Sequence, residues 1–324
     1  MVTAHDRRPY LAGAIDSAVR AGADEVIVVR NFSEPIAGAP RVTADLLCPD
    51  AETNVKEAAG LAAARSDVVA FLDDDDLWTP MKVTRLRAWF ARPDRPVYAN
   101  HAFLPIDAAG QPVRADHPEI SGKSDAAVDE WDRADFGRFV TSTWRGNNSS
   151  TAVARDWALG WLPTFRRAGW GADLSWLVGA VLSGRPLFVS PEALTHLRLH
   201  ADNMSHQRSV SAGEFRARHR QTCERFARSM EVLREASAGV PDAPPSMTRY
   251  LAGKARGYRF LAELEDGAGA RAAARSVLRA PAEVDTGALR AARVARLSPG
   301  VARWLLYRAS RRRWRLAPAG PSAV

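Results

Sequence analysis

Two short apolar runs, VIVV at 26–29 and VVAFL at 68–72, constrain the fold most, because each is too short for a helix and carries no polar residue. Runs of this kind read as strands buried on both faces. Helical patterning from Leu11 to Val19 and from Val55 to Ala64 falls between and before them. Alternating strand and helix predicts an α/β domain built on a mostly parallel sheet. The second run stops at four consecutive carboxylates, Asp73, Asp74, Asp75 and Asp76, followed by Leu77 and Trp78.

The rest of the chain divides in two. A helix is expected from Pro80 to Phe90 and a strand from Val97 to Ala99, followed by an irregular stretch from about 104 to 135 rich in Pro, Gly, Asp and Ser. Helical patterning returns at 172–183, and LFVS at 187–190 reads as a strand. Met1-Val2-Thr3 offers almost no strand. Beyond Ser205 the pattern changes to helices separated by Gly and Pro, over roughly 213–236, 247–265, 268–280, 287–296 and 300–315. The expected domains are therefore 1–205, α/β, and 206–324, α-helical. Charge follows the same division: residues 1–205 hold 22 basic and 27 acidic residues, whereas 206–324 hold 23 and 10.

A composition with 46% hydrophobic residues and ten Trp excludes a disordered chain. Cys48 and Cys223 are too few for a disulfide framework and lack zinc-site spacing, which points to a reducing, cytoplasmic setting. The first residues carry no apolar core of a signal peptide, and no run of about 18 apolar residues is present to cross a membrane.

Four adjacent carboxylates at a strand end repel one another, and a cation relieves that repulsion. In an open α/β sheet ligands bind beyond the carboxyl ends of strands. Carboxylate oxygens suit Mg²⁺ or Mn²⁺, which take one or two protein carboxylates and complete their shell with water and phosphate. The alternative is a solvated acidic turn capping the following helix. A single Asp would be enough for that.

FLDDDDLW followed by TPMKV, preceded by the VIVV strand and a helix opening near Pro9-Tyr10-Leu11, resembles the family 2 glycosyltransferases of GT-A fold. The resemblance runs from residue 1 to about 205. It implies a Rossmann-like, mostly parallel sheet flanked by helices, and a DxD motif whose carboxylates hold a divalent cation on the diphosphate of a nucleotide sugar. Asp73 and Asp75 fill the DxD positions, with Asp75 the foremost direct ligand and Asp74 beside them at the donor. LTHLRLHADNMS at 194–205 is similar to the family's Arg-x-His ending of the catalytic domain, filled here by Arg198, His200, Asn203 and Ser205. That assigns Arg198 to the donor diphosphate and His200 to the metal. His200 also has an ordinary reading as a hydrogen-bonded structural histidine.

GADLSWL at 171–177 stands where family members open a helix with an acidic pair near the acceptor, and it keeps only the second acid. Asp173 is the general-base candidate this implies, against a plain first-turn Asp. Thr3, Asp6, Arg7 and Asn31 fall at the nucleotide end. Three places depart from the pattern. His5-Asp6-Arg7 replaces an aromatic, Asn and Arg; Arg30-Asn31-Phe32-Ser33 replaces Asp-Asp-Gly-Ser; and Glu57-Ala58-Ala59-Gly60 replaces Arg-Asn-x-Gly.

The implied activity is inverting, metal-dependent transfer of a sugar from a nucleotide diphosphate sugar to a hydroxyl of a sugar, lipid-linked sugar or small molecule. Envelope polysaccharide or glycoconjugate synthesis is the implied setting. Among the aromatics of 141–176, Trp157 and Trp161 read as core and Trp170, between two glycines, as an exposed contact. Residues 299–324 interleave Trp304, Leu305 and Trp314 with many Arg, a composition suited to an anionic membrane surface or to a solvated basic face. Two readings of other kinds stand beside the transferase: an inactive scaffold, and nucleic-acid binding through the basic region. That region has no recognisable nucleic-acid motif, and such a reading leaves the four Asp unexplained.

Overall fold

The computed structural model describes residues 1–5, 9–34, 36, 42–50, 52–114, 123, 127–128, 133–200, 211–267, 269–281, 284–312 and 317–318. The chain forms two compact units. The first comprises Met1–Asp132, Arg138–Leu199 and Pro318–Val324; the second comprises Arg133–Gly137 and His200–Ala317.

The first unit begins with β1 (Val2–Ala4), α1 (Leu11–Arg20), β2 (Ile27–Arg30), β3 (Ala44–Leu47) and α2 (Thr53–Ala63). It continues through β4 (Val68–Ala70), β5 (Leu72–Asp73), β6 (Leu77–Trp78), α3 (Lys82–Phe90), β7 (Tyr98–Ile106) and β8 (Val113–Arg114). The helix α4 (Phe136–Ser142), whose first two residues belong to the second unit, is followed by β9 (Thr151–Ala154), α5 (Arg155–Ala168), α6 (Ala172–Leu182) and β10 (Leu187–Arg198). One sheet, ordered β3-β2-β1-β5, is parallel throughout. A second, ordered β4-β9-β7-β10-β6, is mixed, with only β7 and β10 parallel. The mixed α/β architecture agrees with the expected class, and the second sheet adds antiparallel pairing to it.

Three residues of β1 are enough for a strand because neighbours hold both sides: Val2 pairs with Val28 of β2 and with Leu72 of β5. Leu11, Ala14, Ile15 and Ala18, spaced to share one face of α1, pack over Val2, Ala4, Val28 and Leu72 in one apolar cluster. The run at 68–72, expected as one strand, is two. Val68–Ala70 belongs to the mixed sheet, and the chain crosses to the parallel sheet at Phe71, whose N–H donates to Thr151 O while Leu72 N–H donates to Met1 O. An unbroken apolar run conceals this change, since both halves are buried.

β7 and β10 run well past the expected 97–99 and 187–190, so residues 104–106 are strand rather than irregular. Pro105 in β7, and register shifts around Ser190, Ala193 and Thr195 in β10, break the alternation that would have revealed them.

The second unit is helical: α7 (Ala212–Ala238), α8 (Pro245–Asp266), α9 (Ala270–Arg279), α10 (Thr286–Ala295) and α11 (Pro299–Arg312). Ser211 caps α7 by accepting from Glu214 N, and Asp285 caps α10 by accepting from Gly287 N and Ala288 N. Its core is built largely from small side chains, Ala274, Ala288, Ala291, Ala292, Ala295 and Ala302 closing around Phe260, Leu264 and Val277. Among the described residues no helix is long and apolar enough to cross a membrane.

Candidate active site

The acidic cluster sits where the two sheets of the first unit meet. β5 delivers Asp73 at its carboxyl end, Asp76 N–H donates to Asp73 O at 3.2 Å to close a turn, and β6 then pairs antiparallel with β10. Thr3 Oγ1 at 3.2 Å and Asn148 Nδ2 at 3.1 Å both donate to Asp73 Oδ1. His5 N–H donates to Asp74 Oδ2 at 2.8 Å. Arg198, the last residue of β10, donates its N–H to Asp76 Oδ1 at 2.8 Å and its Nε–H to the Asp75 carbonyl at 2.8 Å. Its Nη1 donates to the carbonyls of Asp107 and Ala108 at 3.2 and 3.0 Å, and its guanidinium lies 4.5 Å from the Tyr10 ring centre. One arginine thus ties the acidic turn, the turn after β7 and the approach to α1 together.

Burial pushes the Asp73 carboxyl above its ordinary range, and the neighbouring Asp75 charge pushes it further. Asp76 is raised well above that range, again first by burial and then by Asp75 and Asp73. Lys82 is fully buried beneath the turn, with Nζ donating to Ser149 O and Thr195 Oγ1 and lying 4.4 Å from the Trp78 ring centre. Burial holds it well below the ordinary lysine value, so it compensates the carboxylates poorly. Among the described residues Asp76 Oδ2 is buried with no hydrogen-bond partner. Crowded, dehydrated carboxylate oxygens fit a hard divalent cation, which would relieve the repulsion that raises them. Among the described residues no three His, Cys, Asp or Glu side chains are grouped to hold a metal ion, so a cation here would take one or two protein carboxylates.

Asp173 is set by the turn between α5 and α6, where Gly169 and Gly171, both at φ 71°, flank Trp170. Its Oδ1 accepts from Leu174 N at 2.8 Å in the first turn of α6. Glu57 on α2 is fully buried, and its Oε2 accepts from Trp176 Nε1 at 2.8 Å. Its carboxyl is pushed up to about 8, chiefly by burial, against the Trp176 hydrogen bond, with Asp73 and Asp173 raising it further. Asn31 follows β2 and is half-buried; Arg30 before it is paired with Asp45 at 2.7 Å.

The glycosyl transferase family 2 model matches residues 58–136, the segment that contains the acidic turn. That segment, about a quarter of the chain, is similar to the family 2 glycosyltransferases. The crystal structure of TarS from S. aureus shares the fold at a TM-score of 0.58 and 12% identity, over 95% of this chain and 54% of TarS. This chain therefore spans about half of that protein's length. The structure of S. aureus TarS 1-349 in complex with UDP-GlcNAc aligns at a TM-score of 0.50 and 13% identity, over 96% of this chain and 90% of that one. No curated protein matches the sequence significantly.

Within the first unit, Thr3, Asp73, Asp74, Asp75 and Arg198 come together around one turn, whereas Asp173 stands in the first turn of α6, where its charge is the smallest of the influences that raise Glu57. His200 begins the longer segment of the second unit. Asp6, Arg7, Asn203 and Ser205 lie outside the described residues. Trp157, Trp161 and Trp170 are all partly buried; Trp157 packs edge-on against Trp176, and Trp161 Nε1–H donates to Ser175 O. Sequence reasoning missed Glu57, Asn148 and Lys82 as parts of the site. Only Glu57 left a signal, an acid standing where the family pattern has Arg.

Glu57 has a measurable consequence. In the unfolded chain its proton leaves near 4.5, whereas the folded protein keeps it to about 8. Between these values the native state binds more protons than the unfolded state, so this group's contribution to stability falls as pH rises through the window. Glu57→Gln, whose amide oxygen still accepts from Trp176, is expected to remove that fall. In thermal melts with chelator the variant's melting temperature should exceed that of the wild type at pH 8 and approach it at pH 5. Parallel profiles for the two proteins would contradict a buried neutral acid.

Proposed function

We propose that the protein is a metal-dependent, inverting glycosyltransferase that moves a sugar from a nucleotide diphosphate sugar to a hydroxyl acceptor in envelope polysaccharide or glycoconjugate synthesis. The observation that carries this reading is the Asp73–Asp76 turn at the carboxyl end of β5, held from both sides by Thr3, Asn148 and Arg198. Asp73 and Asp75 would hold Mg²⁺ or Mn²⁺, which supplies Lewis-acid stabilisation of the departing diphosphate. Thr3 and Asn148 fix the orientation of the Asp73 carboxylate, and Arg198 fixes the turn that presents Asp75. Asp173 takes the proton from the acceptor hydroxyl. Thr3, Asp6, Arg7, Asn31 and Asp74 serve the nucleotide. The UDP-GlcNAc held by the TarS structure supports a nucleotide sugar as donor class. The reading includes a cytoplasmic setting, supported by Cys48 and Cys223, which are both free.

The test is a thermal-shift screen of nucleotide sugars with Mn²⁺, with Mg²⁺ and with chelator. A donor present at a hundred times its Kd should add about 2.7 kcal/mol of stability, and only when metal is present. Equal stabilisation with chelator, or none with any donor, would overturn the metal-dependent reading.

A further inference from the structure

Four of the second unit's large apolar side chains face solvent together: Leu297 at 73% exposure, Val301 at 48%, Trp304 at 52% and Leu305 at 43%. Leu297 lies in the turn between α10 and α11, and the other three are on α11. At 3.6 residues per turn Val301, Trp304, Leu305 and Arg308 share one face of that helix. The opposite face is already used, with Ala302 buried and Leu306 packed in the unit's core. The exposed face is therefore not a remnant of internal packing.

Charge along this stretch of chain has one sign. From Thr286 to Arg312 the sequence has no Asp or Glu, and Arg290, Arg293, Arg296 and Arg308 are exposed. The Arg308 guanidinium lies 4.6 Å from the Trp304 ring centre. Trp beside Arg is the pairing suited to an interface, where the ring enters the headgroup boundary and the cation remains among phosphates.

We propose that the Leu297–Arg308 face is a docking surface for an anionic phospholipid bilayer. Two copies of the face would oppose Arg to Arg, which disfavours self-association. Nucleic acid would satisfy the arginines and leave Leu297, Val301 and Leu305 in water. A membrane surface rich in phosphate satisfies both. The inference does not depend on the transferase reading, since it concerns the helical unit alone.

The experiment is flotation of the full chain with vesicles of phosphatidylcholine, with and without phosphatidylglycerol. Wild type should float with the anionic vesicles and not with the neutral ones, with Trp emission moving to the blue. Trp304→Ser combined with Leu305→Ser replaces exposed side chains, and circular dichroism checks that the helices are intact. The double variant should lose about tenfold or more in partitioning, from the lost apolar insertion. Its binding to a single-stranded oligonucleotide should be unchanged. Arg293→Glu with Arg308→Glu should reduce flotation while leaving the thermal transition in place. Equal flotation with neutral vesicles, or unchanged flotation of the apolar double variant, overturns the proposal. So do a parallel loss of oligonucleotide binding, which points to a nucleic-acid surface, and dissociation of a dimer by the same variant, which points to a second copy.

Discussion

Trp176→Ala is expected to destabilise the first unit by about 3–5 kcal/mol, the range for deleting a large buried aromatic whose cavity does not collapse. Trp176 is fully buried, stacks on Phe165 at 3.9 Å between ring centres and on Phe71 at 5.4 Å, and meets Trp157 edge-on at 6.1 Å. Those partners come from α5, from the crossing between β4 and β5, and from α5 again, so relaxation would have to move several elements at once. The substitution also removes the Nε1–H that donates to Glu57. Trp176→Phe separates the two effects: it keeps a ring in the stack and costs about 1–3 kcal/mol for the lost hydrogen bond at a buried acceptor, together with some lost volume. Urea titration, with hydrogen exchange read on peptides around Phe71, measures both. A cost below about 1 kcal/mol for Trp176→Ala would mean that the aromatic stack does not hold the crossing in place.

Phe71 also shows what the sequence could and could not express. The order of strands and helices was legible because burial on both faces produces apolar runs, and the helices of 206–324 were legible from their Gly and Pro punctuation and periodicity. The division of 68–73 between two sheets was not, because Val69, Phe71 and Leu72 are buried whichever sheet they join. β3 was missed because Ala44–Leu47 alternates between half-buried and exposed at a sheet edge and contains Asp45. β9 and α5 were missed because they abut without a breaker, Ala154 ending one and Arg155 beginning the other. The acidic turn was legible because four Asp in a row have few structural explanations. Glu57, Asn148 and Lys82 were not, since their importance comes from partners far along the chain: Glu57 with Trp176, Asn148 with Asp73, and Lys82 with Thr195.

Three of the four carboxylates are expected to respond differently to the same change. Asp75→Asn should lower sugar transfer by about 10²–10³-fold, because the cation that stabilises the departing diphosphate is then held less well, and should weaken Mn²⁺ binding measured by electron paramagnetic resonance. Asp73→Asn should also weaken the metal, while Asn keeps a carbonyl oxygen to accept from Thr3 and Asn148, so its melting temperature should stay near that of the wild type. Asp76→Asn should change little in either assay. Its Oδ1 accepts from Arg198 N, a role the Asn carbonyl can fill, and burial already favours the neutral form of this carboxyl. Asp76→Ala should be worse than Asp76→Asn, because the Arg198 amide then loses its acceptor, at about 1–3 kcal/mol. Equal losses in Asp73→Asn, Asp75→Asn and Asp76→Asn would mark the cluster as a structural turn, and a wild-type rate in Asp75→Asn would end its assignment as a metal ligand. The rank of Asp75 follows from the family pattern, and the separation of Asp73 from Asp76 follows from the hydrogen bonds those two side chains make.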